Sequence, residues 1–596
     1  MSTSEPPTWP HCGHGADPAA DPVGCRGAHV PGHTACLAHL ANADRDAYLA
    51  GLTPGTSINH RGTTFTETLL SALLNALRDP ATGHPRLGGA WFDSATFEGD
   101  ARFESATFEG DVWFVSATFE GNTGFRSATF KGDAWFMSAT FKGSTGFESA
   151  TFEGDAWFES TTFKGDAFFV SATFKGNAGF DSATFKGNAW FGSVTFKGGA
   201  WFDSATFDGD ARFLSATFKG DVGFDSATFV EADQFGPLVC AGRVVLSGAV
   251  FGGPVTLSFA TRRLECRRTR WSATAETRLR YATVDFAHAV FEYPLTIAAE
   301  AEPFVRANGG QLVDDPFSGA PDTGVRVASL RGVDAAHLVL ADLDLSGCLF
   351  TGTVHLDQLR LEGACTFDTV PPAVWRRWPP LRFTERRVLA EEHYWRAGQP
   401  GAVRGWNVAV LGAGRAGPLQ LAPVYRALRK AFEDGKHEPG AADFYYGEME
   451  MRRHAGDIPR SERGLLTAYW ALSGYGLRAS RALAWLGAAM LLTIILLMAF
   501  GLAKDTPQQI ATGTVPAGGG KVTFQIDKDS PQNPTGDRFT GERFEKALNV
   551  TLNSVVFRSS GQDLTTAGTY IEMTSRLTEP VLLGLAVLAI RNRVKR

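Results

Sequence analysis

Between Trp91 and Phe229 one apolar pattern recurs with a fixed period of eleven, Phe-x-Ser-Ala-Thr-Phe-Lys/Glu-Gly-Asp/Asn-Ala-x. Phenylalanines fall at Phe92, Phe97, Phe103, Phe108, Phe114 and Phe119 and continue to Phe229, so their spacing alternates 5, 6, 5, 6. That rhythm is neither the 3.6 of a helix nor the 2 of a strand. A fixed short period sustained this long is the mark of a solenoid. A small residue stands two before nearly every Phe, as at Ala95, Ala101 and Ala106, with Thr161 and Val194 as bulkier exceptions. Large and small plugs alternate, as a narrow coil requires if its interior is to be filled without voids. Gly99, Gly110, Gly121 and Gly132, each followed by Asp or Asn, predict tight turns with the glycine at positive φ. Each unit therefore predicts two short straight segments, with Asp, Glu, Lys and Ser facing water.

Beyond Phe229 the wording decays and the spacing persists. Phe235, Cys240, Leu246, Phe251 and Leu257 keep it; Phe286, Phe291 and Ile297 recover it; Leu340, Leu345, Phe350, Leu356, Leu361 and Phe367 carry it further. The solenoid is thus expected over 91–370, broken by projecting inserts near 260–278 and 300–330. The first insert carries Arg262, Arg263, Arg267, Arg268 and Arg270, a basic patch that suits an acidic partner or lipid headgroups, or else is a solvated loop. Upstream, in 51–90, a link leads to a helix expected from Thr66, with Leu69, Leu70, Leu73, Leu74 and Leu77 on one face. This helix is expected to cap the open first coil.

Ala-Thr-Phe-Glu-Gly, with an apolar residue at its centre and a small one two before it, resembles the pentad of the pentapeptide-repeat family. The resemblance implies a mainly β fold, a right-handed quadrilateral β-helix. Here every second pentad is one longer, so a coil of four pentads has twenty-two positions where the family has twenty. At about 4.8 Å of rise per coil, the spacing of adjacent strands, 91–229 would make a rod of roughly 30 Å.

After a linker, 371–420, the period changes to helical. Val424 to Glu433 and Pro439 to Arg453 are two amphipathic segments joined at Asp434-Gly435-Lys436, which predicts an antiparallel hairpin within a cytoplasmic region, 421–481. The second segment, Ala441 to Arg453, resembles one in membrane-attached pentapeptide-repeat proteins of bacteria. Its Glu448 and Glu450 invite a metal or acid–base reading; Arg452 and Arg453 alongside give the plainer one, charge pairing within the helix. Ala482 to Ala503 carries no charge along its whole length and would span about 33 Å, so 482–503 is expected to cross a membrane. Arg460, Arg463, Arg478 and Arg481 precede it, which places the preceding chain in the cytoplasm by the positive-inside rule. An outer loop, 504–570, with an amphipathic helix at 544–557, would lead to a second and marginal crossing, 571–596, that ends in a basic tail. Arg576 and Glu579 would then lie inside it, which is costly unless they are paired. The N-terminal stretch lacks an apolar leader, again an expectation of a cytosolic N-terminal part at an inner membrane. Helix, loop, amphipathic helix, helix is an order similar to two-helix potassium-channel subunits; where such a channel has Gly-Tyr-Gly, this chain has Gly561 to Gly568 without it.

Charge then narrows the partners. The formal net charge is −6, and 91–229 holds 19 acidic against 10 basic side chains, so no affinity for nucleic acid is expected. Seven cysteines give no disulfide framework. Cys240 falls at a Phe-type position and reads as a buried apolar thiol. Residues 1–50 differ: His11, Cys12, His14, Cys25, His29, His33, Cys36 and His39 crowd a stretch otherwise of Gly, Pro, Ala and Asp, which builds no core by itself. Cys36 and His39 have a gap of two, and with Cys12 and Cys25 they make one tetrahedral set for a structural zinc; the competing reading is a histidine-bearing tail. Val408 to Gly417 matches a dinucleotide fingerprint on paper, without the strand–helix–strand setting it needs. No constellation for catalysis emerges. The expected function is a membrane-tethered, non-catalytic scaffold that binds an unidentified protein partner, with a homo-oligomer allowed. The alternatives are a channel-like protein regulated by its solenoid, and a DNA mimic that binds topoisomerases, a role the family resemblance implies and the lysines at 131, 142, 164, 175, 186 and 197 weigh against.

Overall fold

The computed structural model describes all residues except 1–5, 18, 307–308, 372–383, 401, 403, 407–413, 415, 505–507, 515–516, 529, 534 and 595–596. The chain forms two compact units. One comprises Met1–Ala416 with Ala427–His437, the other Gly417–Arg426 with Glu438–Arg596.

The first unit is a β-solenoid. Two-residue strands such as Thr96–Phe97, Ala101–Arg102, Thr107–Phe108 and Val112–Trp113 form the four sides of one coil. Each pairs in parallel with its counterpart one coil on, as in Thr96↔Thr118, Ala101↔Thr123, Thr107↔Thr129 and Val112↔Ala134. Within each pair one side chain points in and the next points out, so Thr faces water while Phe fills the bore. The rings form four columns. Between Phe92 and Phe229, successive rings in a column lie 4.6–5.1 Å apart and nearly parallel, for example Phe130 on Phe152 at 4.6 Å and 1°. Columns meet edge to face, as Phe169 meets Phe180 at 5.4 Å and 90°. Both arrangements suit the ring quadrupole.

The turns depart from the expectation. Positive φ falls on Ser94, Ser105 and their equivalents to Ser226, at 55–59°, and not on the repeat glycines. Ala95 N donates to Phe92 O at 3.0 Å, closing a turn with Ser94 at its third position, which demands positive φ. The glycines are needed for another reason. A Cβ on Gly165 would lie 2.6 Å from the carbonyl carbon of Gly143, because successive coils touch backbone to backbone at that corner. Beside them an Asx column ties coil to coil: Asp155 N donates to Asp133 Oδ1, and Asn177 N to Asp155 Oδ1, at 2.9 and 2.7 Å.

The solenoid begins earlier than expected. After a first helix, α1 (Asn42–Ala50), Ile58 and Thr64 pair with Ala90 and Thr96. That step along the chain is longer than in later coils, since the first coil also contains α2 (Glu67–Ala76), with Leu69, Leu70, Leu73 and Leu74 buried. The 260–278 segment is not a projecting insert. Val255–Glu265 and Ala275–Arg280 are strands of the wall, and Arg263, Arg267 and Arg270 pair with Glu265, Asp285 and Glu292. Coils shorten here by two positions, as in Val250↔Arg270 and Arg270↔Val290, so Cys266 and Trp271 take plug positions the 5, 6 rhythm does not reach. The 300–330 segment is an insert, yet it lies on the wall: Phe304, Leu312 and Phe317 pack on Val239 and Ala260, and Arg280 pairs with Asp314 at 3.0 Å. Past the last coils, α3 (Ala390–Ala397) presents Glu391 to the backbone N–H groups of Phe350 and Thr351 at 2.6 and 2.9 Å. The carboxylate caps an otherwise unpaired edge, and burial raises its pKa.

Helix α4 (Pro418–Asp434) is divided between the two units; α5 (Glu438–His454), α6 (Arg460–Ser473), α7 (Ala479–Leu496), α8 (Gly541–Val555) and α9 (Thr566–Val594) belong to the second. A π turn, Leu497–Gly501, extends α7. Gly568 crosses Gly501 so closely that no Cβ fits, which brings α7 and α9 into contact. Ile494, Leu497 and Met498 pack on Ala547 and Val550 of α8. Ala479–Gly501 and Thr566–Arg591 are each long and apolar enough to span a bilayer.

Candidate metal centre

The Cys/His-rich segment folds into a small knuckle seated on the first coil. Cys12 N donates to Gly27 O at 2.9 Å, Gly13 N to Cys25 O at 2.8 Å and Cys25 N to His14 O at 2.9 Å, so two loops run side by side and turn their cysteines the same way. Gly13 and Gly24 make the turns at φ of +63° and +62°. A third loop folds back through Val30 N to Ala35 O at 3.0 Å, and Cys36 O then accepts from His39 N and Leu40 N. That helical turn puts Cys36 and His39 on one side, which is what their spacing of three provides.

The four expected ligands meet. The Sγ atoms of Cys12, Cys25 and Cys36 and a ring nitrogen of His39 all lie within 4.8 Å of one another. Cys25 Sγ is 3.7 Å from Cys36 Sγ, and His39 Nδ1 is 3.6 Å from Cys12 Sγ and 3.3 Å from Cys36 Sγ. Tetrahedral zinc with S and N bonds of about 2.3 and 2.0 Å has edges of roughly 3.5–3.8 Å. Three of the six edges thus already have nearly that length. At 3.7 Å the two sulfurs are far from the ~2.05 Å of a disulfide. The Cys25–Cys36 hydrogen bond lowers the pKa of the Cys25 thiol and raises that of Cys36. Gly27 N donates to Cys25 Sγ at 3.4 Å, the outer contact a thiolate ligand uses, and any side chain on Gly27 would strike Cys36.

The other histidines do not join this group. His29 Nε2 bonds the His11 carbonyl at 2.8 Å, and His14 stacks on the His39 ring at 4.2 Å. Below, Ala28 N donates to Arg61 O at 2.7 Å, and Arg61 lies between Trp9 and Trp91 and pairs with Asp93 at 2.8 Å. The knuckle therefore closes the N-terminal edge of the solenoid, with Cys36 and Leu37 fully buried.

The family described as Pentapeptide repeats (9 copies) matches residues 84–129, 125–173 and 158–206. The rod is a pentapeptide-repeat solenoid. The pentapeptide repeats so matched cover most of the regular coils, and the coils after residue 206 continue the same wall. No curated protein and no solved structure matches the chain.

Other candidate positions resolve into structural roles. Glu448 pairs with Arg426 of the preceding helix at 2.8 Å, and Glu450 accepts from Arg453 at 2.8 Å and from the Tyr475 hydroxyl at 2.9 Å, so the two carboxylates face different partners. Intrahelical pairing thus holds for Glu450, and Glu448 makes an interhelical pair. Cys240 lies in the bore with its thiol pushed up by burial to about 12. Val408 to Gly417 falls mostly outside the described residues.

Proposed function

We infer that this chain is a membrane-tethered, non-catalytic scaffold whose pentapeptide-repeat rod is a binding platform for a protein partner. The observation that carries the tether is the sidedness of the helical unit. Leu483, Trp485, Leu491 and Leu492 of α7, and Leu577, Val581 and Leu588 of α9, are exposed, while Glu579 is fully buried and its Oε1 receives the Thr493 hydroxyl at 2.9 Å. Apolar outside and polar inside is an arrangement for lipid. Arg576, the other charge of concern, donates to the Phe557 carbonyl at 3.2 Å. Basic residues before α7 and at the chain's end favour an inner membrane with the rod in the cytoplasm. The rod supports a platform because its outward Thr, Lys, Glu and Asp repeat coil after coil, offering partners a ruled surface. Membrane fractions washed with alkaline carbonate test the tether: the chain should stay in the pellet, and its release into the supernatant would contradict it.

A zinc ion at Cys12, Cys25, Cys36 and His39 belongs to the same proposal, as a closed structural clasp for the knuckle. Metal analysis of the full chain, purified without chelator under reducing conditions, should find one equivalent, lost in Cys25→Ser. A metal content unchanged by that substitution would refute this site.

A further inference from the structure

One side of the rod is built differently from the rest. Its central outward column is tryptophan: Trp91 stacks on Trp113 at 4.9 Å, Trp135 on Trp157 at 6.0 Å, and Trp201 continues the column past Gly179. Each of these rings is half-buried. Along one edge of this face run Lys175, Lys197 and Lys219, all exposed, and along the other run Asp181, Asp203 and Asp225. Each aspartate follows its lysine by six positions across the same strand, so the two columns stand at the same levels. Lys175 reaches Glu153 at 2.6 Å, whereas Lys197, Lys219 and the three aspartates make no ion pair among the described residues. Burial, and then the carboxylate one coil above, raise the pKa of Asp181 and Asp203.

At three levels of this face, Lys175 with Asp181, Lys197 with Asp203 and Lys219 with Asp225, the two edges are complementary to each other. The outward residues between them are Gly179, Trp201 and Gly223, and the other tryptophans lie on the coils toward the N-terminus. A half-turn about an axis parallel to the rod, along the Trp column, lays the lysine edge of one copy on the aspartate edge of the other and Trp on Trp. The charge match holds at these three of the face's seven levels, because both edges share the rise of about 4.8 Å per coil; one coil toward the N-terminus Glu153, already paired with Lys175, would face Glu159. A second copy is the partner whose rungs are commensurate by construction. The other faces match at fewer levels. Opposite, Lys164 and Lys186 would look across at Val170 and Gly192. On the adjoining Thr face Glu159 would meet Lys164 and Asp181 would meet Lys186, but Asp203 would meet Asp208 and Asp225 would meet Val230.

We propose that two copies of this chain associate side by side and parallel through the Trp face, a twofold and isologous contact. Seven rungs, about 30 Å long and about 15 Å wide, would bury on the order of 400 Å² per copy, at the low end for specific complexes. The association is therefore weak and sensitive to salt. A parallel pair sends both C-terminal ends the same way, and anchoring in one bilayer would raise the effective concentration of one copy around the other. Only this last point rests on the membrane reading; the interface does not.

The test uses the full chain, both in membranes and in detergent, so that a wrong topology and a wrong interface give different results. With a short bismaleimide, Trp135→Cys on the axis should yield a homodimer well above the background of the native cysteines. Phe168→Cys on the opposite face and Thr184→Cys on the adjoining one should not. Lys197→Glu and Asp203→Lys should each lower the cross-linked yield of Trp135→Cys about tenfold, since each sets two like-charged pairs in the interface. The double reversal, Lys197→Glu with Asp203→Lys, should restore it, a rescue that damage to the fold would not give. Equal or stronger cross-linking at Phe168→Cys or Thr184→Cys, no dimer at Trp135→Cys, or a double reversal no better than the single ones would overturn the proposal.

Discussion

Replacing Phe158 by alanine should open the middle of the rod, while the same replacement at Phe168, on an outward position of the next unit, should scarcely register. Phe158 is fully buried, with Phe136 and Phe180 stacked on its two faces at 4.8 and 4.7 Å and Phe147 and Phe169 edge-on at 5.5 and 5.6 Å. Truncating a buried Phe costs about 3–5 kcal/mol, and each lost aromatic pair adds about 0.5–1.5 kcal/mol beyond its area, so the upper end, about 5 kcal/mol, is expected. Phe168 points outward, is half-exposed and meets Trp190 at 6.4 Å, which leaves about 1 kcal/mol. In a solenoid each coil touches only its neighbours, so the damage should be local. Native-state hydrogen exchange reads that directly. For Phe158→Ala the amides of 147–180 should exchange about a thousandfold faster, while those of 92–114 keep most of their protection. Equal effects of the two substitutions, or a uniform loss of protection along the rod, would refute both the ring columns and the local account of their energy.

Gly165→Ala should destabilise by about 2 kcal/mol or more in urea melts, because its Cβ meets the Gly143 backbone at 2.6 Å. Ser160→Gly, at a φ of 56°, should instead stay within about 1 kcal/mol of the parent; the reverse order would mean the turns are misread. His60 occupies a Phe-type position in the first coil, fully buried, with Nδ1 unpartnered, and burial lowers its pKa to about 4. Its neutral form contributes fully above about pH 6.5, and that stability, about 3 kcal/mol, is lost as pH falls to about 4; in His60→Phe this slope between pH 7 and pH 4 should vanish from melts of the N-terminal coils. Zinc at a hundredfold excess over its Kd should stabilise the knuckle by about 2.7 kcal/mol, seen as chelator-dependent proteolysis near residues 12–39, and an unchanged digest would count against a clasp.

The parts of this fold that could be read from the chain are those where one residue type does one job many times. Phe at 5, 6 spacing had a single compatible reading, and the leucine face of α2 followed from its period. Cys36 and His39 were recognisable from their gap, although which of the other thiols faces them is set by turns at Gly13 and Gly24 that carry no such signal. The turn serines illustrate the opposite case. Glycine tolerates both positive φ and close backbone approach, so its presence did not say which was needed, and the structure assigns positive φ to Ser94 and the approach to glycine. Arg262 to Arg270 looked like a loop because charge and a broken rhythm coincide there. The shorter coils restore the register and pair three of those arginines with carboxylates on the same strand or one coil on. The contact of Glu579 with Thr493 joins two helices far apart in the chain, beyond any local pattern.

The central claim, a cytoplasmic pentapeptide-repeat rod held at a membrane by two crossings, is tested most directly by accessibility in intact cells. In a chain whose native cysteines have been replaced, Ser530→Cys lies between the two proposed spans and Ser171→Cys lies on the rod, both at solvent-facing positions. A membrane-impermeant maleimide should label Ser530→Cys in intact cells and Ser171→Cys only after lysis. Labelling of Ser171→Cys in intact cells, or protection of Ser530→Cys there despite reaction in solubilised protein, would contradict the account.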